Sequence, residues 1–163
     1  MSNLYNPRQV VLVTSRAEVR ILGKETEKDD IITVTWHTPV SKEPELYAIS
    51  IGNTRFSKKL IDKSKCFAVN FIPFDLKEAA VVCGTKTGEH LDKFREANLT
   101  MEEADSIDCG RLKEAVGYIE CEVINEINAG DHTIYIGKIV SSSLKKDKER
   151  LLQGGADFTT TRY

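Results

Sequence analysis

Tyr118-Ile119-Glu120-Cys121-Glu122-Val123-Ile124 and His132-Thr133-Ile134-Tyr135-Ile136-Gly137-Lys138-Ile139-Val140 flank the stretch Asn128-Ala129-Gly130-Asp131. The second run alternates clearly and the first more loosely, the period of a strand with two unlike faces. Asn and Asp bond their own backbone and Gly tolerates positive φ, so the stretch between them is turn chemistry. Together the three pieces predict an antiparallel hairpin. A lone hairpin is marginal in water, so this one needs more strands beside it.

The rest of the chain supplies them. Cys66 to Ile72 reads as a strand stopped by Pro73, and Leu46 to Ile51 as one closed by Gly52-Asn53. Ile31 to Trp36 is β-prone, with Pro39 expected to end it by withholding a backbone donor. Val10 to Thr14 is a further short strand. The polar stretch Gly23 to Asp30 reads as a solvated turn. Four short helices fit between and after the strands. Thr54 is placed to cap one on which Phe56, Leu60 and Ile61 share a face. Asp75 is placed to cap another over Leu76 to Cys83, with Gly84 ending it. A third spans Leu91 to Ala97, and charged Lys145 to Leu152 forms a surface helix.

Strands without regular helices between them exclude a doubly wound parallel sheet and predict a mainly β fold, a small barrel decorated with helices. No composition break divides the 163 residues, so one domain over 1–163 is expected. There is no GxGxxG after a strand. Gly84-Thr85-Lys86-Thr87-Gly88 imitates a phosphate loop, but its Lys precedes the second Gly, and the Walker reading fails. With 23 basic and 25 acidic side chains, the chain lacks the field of a nucleic-acid polymer binder. Cys66, Cys83, Cys109 and Cys121 form no CxxC pair that would point to zinc or a redox dithiol. No signal-like start and no membrane-length apolar run is present, so a cytoplasmic protein away from membranes is expected.

The order of these segments resembles the flavin reductase-like family of FMN-binding split β-barrels. Pro7 to Thr14 resembles that family's opening strand, and Thr35-Trp36-His37-Thr38-Pro39-Val40-Ser41 its Ser/Thr-Trp-x-x-Pro-x-Ser segment. Ser50 to Ser57 is similar to the strand and helix start that hold the flavin phosphate. Phe67-Ala68-Val69-Asn70 matches its Phe-x-Val-Asn strand. Gly88-Glu89-His90-Leu91-Asp92-Lys93-Phe94 resembles its Gly-Arg-x-x-Asp-Lys-Phe loop, departing at Glu89 and His90. Gly130 to Val140 is similar to its Gly-Asp-His strand, and Gln153-Gly154-Gly155 echoes a common ending.

The resemblance implies a Greek-key split barrel and FMN as cofactor. A dianionic phosphate needs convergent donors, and Ser50, Arg55, Ser57 and Lys58 supply hydroxyls and cations beside a helix start. Arg55 is the foremost of them, because a guanidinium grips two phosphate oxygens at once. By the resemblance, Thr33, Val34, Thr35, Trp36 and His37 wrap the ring, while Asn70, Lys86, Thr87, Asp92 and Lys93 complete the rim. Trp36 fits a core or interface anchor equally well. His132 is the candidate catalytic residue, with support of catalysis and support of binding both open. The implied reaction passes hydride from NADH or NADPH to FMN and electrons onward to free flavin or a ferric complex. An FMN electron carrier reduced by a protein partner, without its own nicotinamide site, is the alternative. A homodimer is also implied.

Overall fold

The computed structural model describes residues 3–160. The central hairpin is longer than its pattern, with two strands of 13 residues that meet at Gly130-Asp131. In chain order the strands are β1 (Arg8–Gln9), β2 (Val11–Ile21), β3 (Lys24–Val34), β4 (His37–Lys42), β5 (Glu45–Gly52) and β6 (Cys66–Phe71). They continue as β7 (Met101–Glu103), β8 (Gly110–Leu112), β9 (Gly117–Ala129), β10 (His132–Leu144), β11 (Leu151–Gly154) and β12 (Asp157–Thr160). The helices are α1 (Phe56–Ser64), α2 (Lys77–Thr85) and α3 (Lys93–Glu96).

Seven strands form one antiparallel sheet in the order β3-β2-β6-β9-β10-β5-β4. Its two edges, β3 and β4, are consecutive in the chain and joined by Thr35-Trp36 alone. Three Cα steps reach at most about 11 Å. In a flat sheet those edges would lie six spacings apart, roughly 29 Å. The sheet therefore has to roll until its edges meet at this bend, and the Ser50 N–H donates to the Trp36 carbonyl at 2.9 Å to fasten it. The edges form no ladder with each other, so the barrel stays split.

Val11, Val13, Ile32, Ile49, Ile51, Phe67, Val69, Cys121 and Tyr135 fill the inside of the roll. Val10, Leu12 and Ile31 point to the opposite face, under Ala79, Ala80 and Cys83 of α2, Phe94 of α3 and Leu151 of β11. Phe56 and Leu60 of α1 cover Ala17 and Val19 of β2.

Several local expectations need correction. Gly23 to Asp30 is no solvated turn. Only Leu22-Gly23 turns, with φ of 49° and 80°, and Lys24 onward is the paired strand β3. Positive φ at two successive residues is the twist a two-residue hairpin requires. The outer half of β3 is exposed on both faces, so no apolar alternation betrayed it. Pro39 does not end a strand but sits inside β4, where an edge tolerates its missing donor and a register shift follows at Ser41. Arg55, not Thr54, is the N-cap of α1. Asp75 lies in a 3-10 turn before α2, and α2 runs through Gly84, where a Cβ would come within 3.2 Å of the Thr33 side chain. The third helix shrinks to α3. Lys145 to Leu152 is not helical: it has no apolar stripe to bury, and the chain there leads into β11 beside β1. No helix among the described residues is long and apolar enough to cross a membrane.

Candidate functional site

The bend that joins the sheet edges is also the floor of a hollow of about 390 Å³, in the range of small-ligand clefts. Thr33, Val34, Thr35 and Trp36 come to it from the end of β3, Ser50 to Gly52 from β5 and His132 from β10. Arg55, one residue before α1, closes one end. Trp36 and His132 lie with ring centroids 4.8 Å apart. A methyl group on Gly52 would touch both Arg55 Cγ, at 3.5 Å, and His132 Nε2, at 3.7 Å, so these two side chains face one spot. The His132 Nδ1–H donates a hydrogen bond to the Asp131 carboxylate at 2.7 Å, which leaves Nε2 toward Gly52. That same bond holds the Asp131 carboxyl below its usual range.

A second hollow of about 210 Å³ continues from the first through shared Ile32 and Arg55. Thr54 and Ser57 come from the start of α1, Thr85, Lys86 and Thr87 from the end of α2, and Lys93 from α3. Its cations differ in how they are compensated. Lys93 is buried and lies 2.9 Å from buried Asp30, whose other oxygen accepts from Ser57 Oγ at 2.5 Å. Lys86 reaches Glu96 at 3.2 Å near the surface. Among the described residues Arg55 has no carboxylate partner, and no acidic residue lines either hollow. Arg55 is left as the uncompensated cation where the two hollows meet.

The structure thus brings together Thr33, Val34, Thr35, Trp36, Ser50, Arg55 and His132 at one hollow, and Arg55, Ser57, Lys86, Thr87 and Lys93 at the other. Four candidates fall elsewhere. His37 is held by its neighbours: Nε2 donates to the Gln9 carbonyl at 2.8 Å and Nδ1 accepts from the Tyr47 hydroxyl at 2.6 Å. Lys58 is drawn back along α1 to Asp62 at 2.6 Å. Asn70 is fully buried and ties Leu12, Thr14 and Leu112 together. Asp92 caps α3 by accepting the Arg95 N–H. Local reading passed over Asn6, Arg8 and Gly155, which complete the first hollow with Gln153. They arrive through the pairing of β1 with β11, some 145 residues apart by register (Arg8 with Gln153), and no local pattern signals it.

A seven-stranded antiparallel roll left split at its seam is a flavin reductase-like fold. The family model described as the flavin reductase like domain matches residues 1–161, and the chain belongs to that family. An uncharacterised protein of Archaeoglobus fulgidus is 31% identical over 114 residues, covering 70% of this chain and 64% of its own length. The chain thus spans just under two thirds of that relative. Among solved structures, an FMN-binding protein from Thermus thermophilus superposes with a TM-score of 0.84 at 23% identity, covering 98% of this chain and 89% of that one. An NADH:FAD oxidoreductase of Streptomyces globisporus does so with 0.84 at 21%, covering 97% and 88%. At such identities the superpositions speak to the fold.

Proposed function

We propose that this chain is an FMN-dependent oxidoreductase that draws hydride from NADH or NADPH and delivers electrons to free flavin or a ferric complex. The observation that carries the reading is the shared wall: Ile32 and Arg55 line both hollows, so one ligand with a flat body and an anionic tail can occupy the two at once. The donors fit that ligand. Arg55, Lys86 and Thr87 offer cations and a hydroxyl for a phosphate beside the α1 N-terminus, where the helix dipole favours negative charge, while Ser57 and Lys93 are held by Asp30. The absence of acidic lining residues suits a dianion. Thr33 to Trp36 and His132 would flank the ring.

When bound, FMN supplies a ring that accepts hydride and releases electrons. The protein's part is placement and charge. Trp36 and His132 line the hollow side by side. Backbone N–H groups of the β3 end would stabilise electron density gained at the ring's polar edge. His132, oriented by Asp131, would place its imidazole beside the same charge. We further propose a homodimer, for which the native mass in dilute solution should be twice 18.3 kDa.

Anaerobic mixing of FMN-loaded protein with NADH or NADPH tests the reading. Bleaching of the yellow absorbance is expected with at least one of them. Flavin that stays oxidised with both, but bleaches with dithionite or a reduced protein partner, would instead establish the electron carrier. Colourless protein that refuses added FMN would defeat both.

A further inference from the structure

Among the described residues Arg8 is a cation with no carboxylate partner. It stands on β1, paired in register with Gln153 of β11, and both line the aromatic hollow. Its guanidinium carbon lies 5.8 Å from the Tyr5 ring centre and 5.9 Å from that of Trp36. Such aromatic faces hold a cation in place without neutralising it. Among the described residues no carboxylate pairs with it, and its Nε is shielded from solvent without a hydrogen-bond partner. A shielded donor with no acceptor costs stability, a cost that a bound acceptor removes.

The flavin phosphate does not fill that role, because the cationic hollow assigned to it is not lined by Arg8. The second ligand of the proposed reaction does. A nicotinamide dinucleotide has to lay its ring in the aromatic hollow, and its diphosphate then falls toward the mouth. Trp36 contacts both His132 and Arg8, and all three line the same hollow. We infer that Arg8 receives the diphosphate of the nicotinamide dinucleotide and sets how strongly the donor binds. A guanidinium fork matches two phosphate oxygens, which an ammonium does not. The inference rests on the function proposed above.

The test uses FMN-loaded wild type, Arg8→Gln and Arg8→Lys. Titration with NAD⁺ and NADP⁺, followed by quenching of Trp36, the single tryptophan, reads binding without turnover. Arg8→Gln should weaken both dinucleotides by about tenfold or more, and Arg8→Lys by less. The kcat/KM for NADH and NADPH should fall by a similar factor. Reduction by 1-benzyl-1,4-dihydronicotinamide, which carries the ring but no phosphate, should fall by far less than reduction by NADH or NADPH. An Arg8→Gln protein that binds the dinucleotides like wild type would overturn the inference and leave the function standing. Equal losses with the phosphate-free donor, or loss of FMN, would also overturn it, by making Arg8 a support for the flavin. Wild type that binds neither dinucleotide would remove the proposed function and this inference together.

Discussion

Asp30 shows how one residue ties the site together. It is buried at 1% exposure, ion-paired to Lys93 and hydrogen-bonded by Ser57, so it joins β3, α3 and the start of α1. Gly88 packs directly on it: a Cβ there would lie 2.0 Å from Asp30 Oδ1. A carboxylate pinned between Lys93 and Ser57 has no room to swing away. Gly88→Ala should therefore destabilise the protein by about 2–3 kcal/mol, read as a lower urea midpoint, and should weaken FMN binding. Gly52→Ala is the contrast, because its nearest atoms are at ordinary contact distance and the melt should barely move. His37 makes a pH prediction. Burial holds its ring below the ordinary value of 6.5, with the bond to Gln9 opposing. The unfolded chain then binds the proton more readily, so unfolding free energy is full above 6.5 and falls as pH drops below it, until the folded-state pKa is passed. Urea midpoints between about pH 7 and 5 should show that slope, and His37→Gln should flatten it. A slope unchanged in the variant would assign the proton elsewhere.

Elements explain what the sequence disclosed and what it concealed. β5, β6, β9 and β10 were legible because their apolar residues are bounded by Gly, Pro or a turn and face the inside of the roll. β3 was half hidden: its outer residues are charged on both faces, and Arg16 to Asp29 at 2.8 Å replaces apolar pairing there. Arg55 and His132, picked out by motif order, line the hollow. His37, Lys58, Asn70 and Asp92 lie outside both hollows, since their positions turn on a hydroxyl, a carboxylate or a peptide group within bonding reach. The shared face of Phe56, Leu60 and Ile61 was readable by spacing, and α1 does bury it. Ile61 joins the inner core, while Leu60 seats the helix on β2. Leu60→Ala should lower stability by about 2–5 kcal/mol with an unchanged denaturant slope. A loss below about 1 kcal/mol would mean that α1 is held by its ends and not by this face.

At the scale of the molecule, the two-residue bend at Thr35-Trp36 performs two tasks. It draws the edges of a seven-stranded sheet together, and its backbone floors the hollow. These tasks respond differently to length. Inserting Gly-Ser between Thr35 and Trp36 adds little loop entropy, about 0.6 kcal/mol for a doubling. The strands keep their ladders, because β3 pairs only with β2 and β4 only with β5. The bend, however, loses the register that holds Thr33 to Thr35, at the end of β3, against Trp36 in the lining of the hollow. The far-ultraviolet circular dichroism of the insertion variant should match wild type and its melt should fall by only a few degrees. Its FMN affinity, read by quenching of flavin fluorescence, should fall by about tenfold or more, because the lost contacts all lie at the hollow. Stability and affinity falling together would mean that the bend holds the barrel shut. Affinity lost from a barrel that still folds would show that the seam is kept short for the ligand.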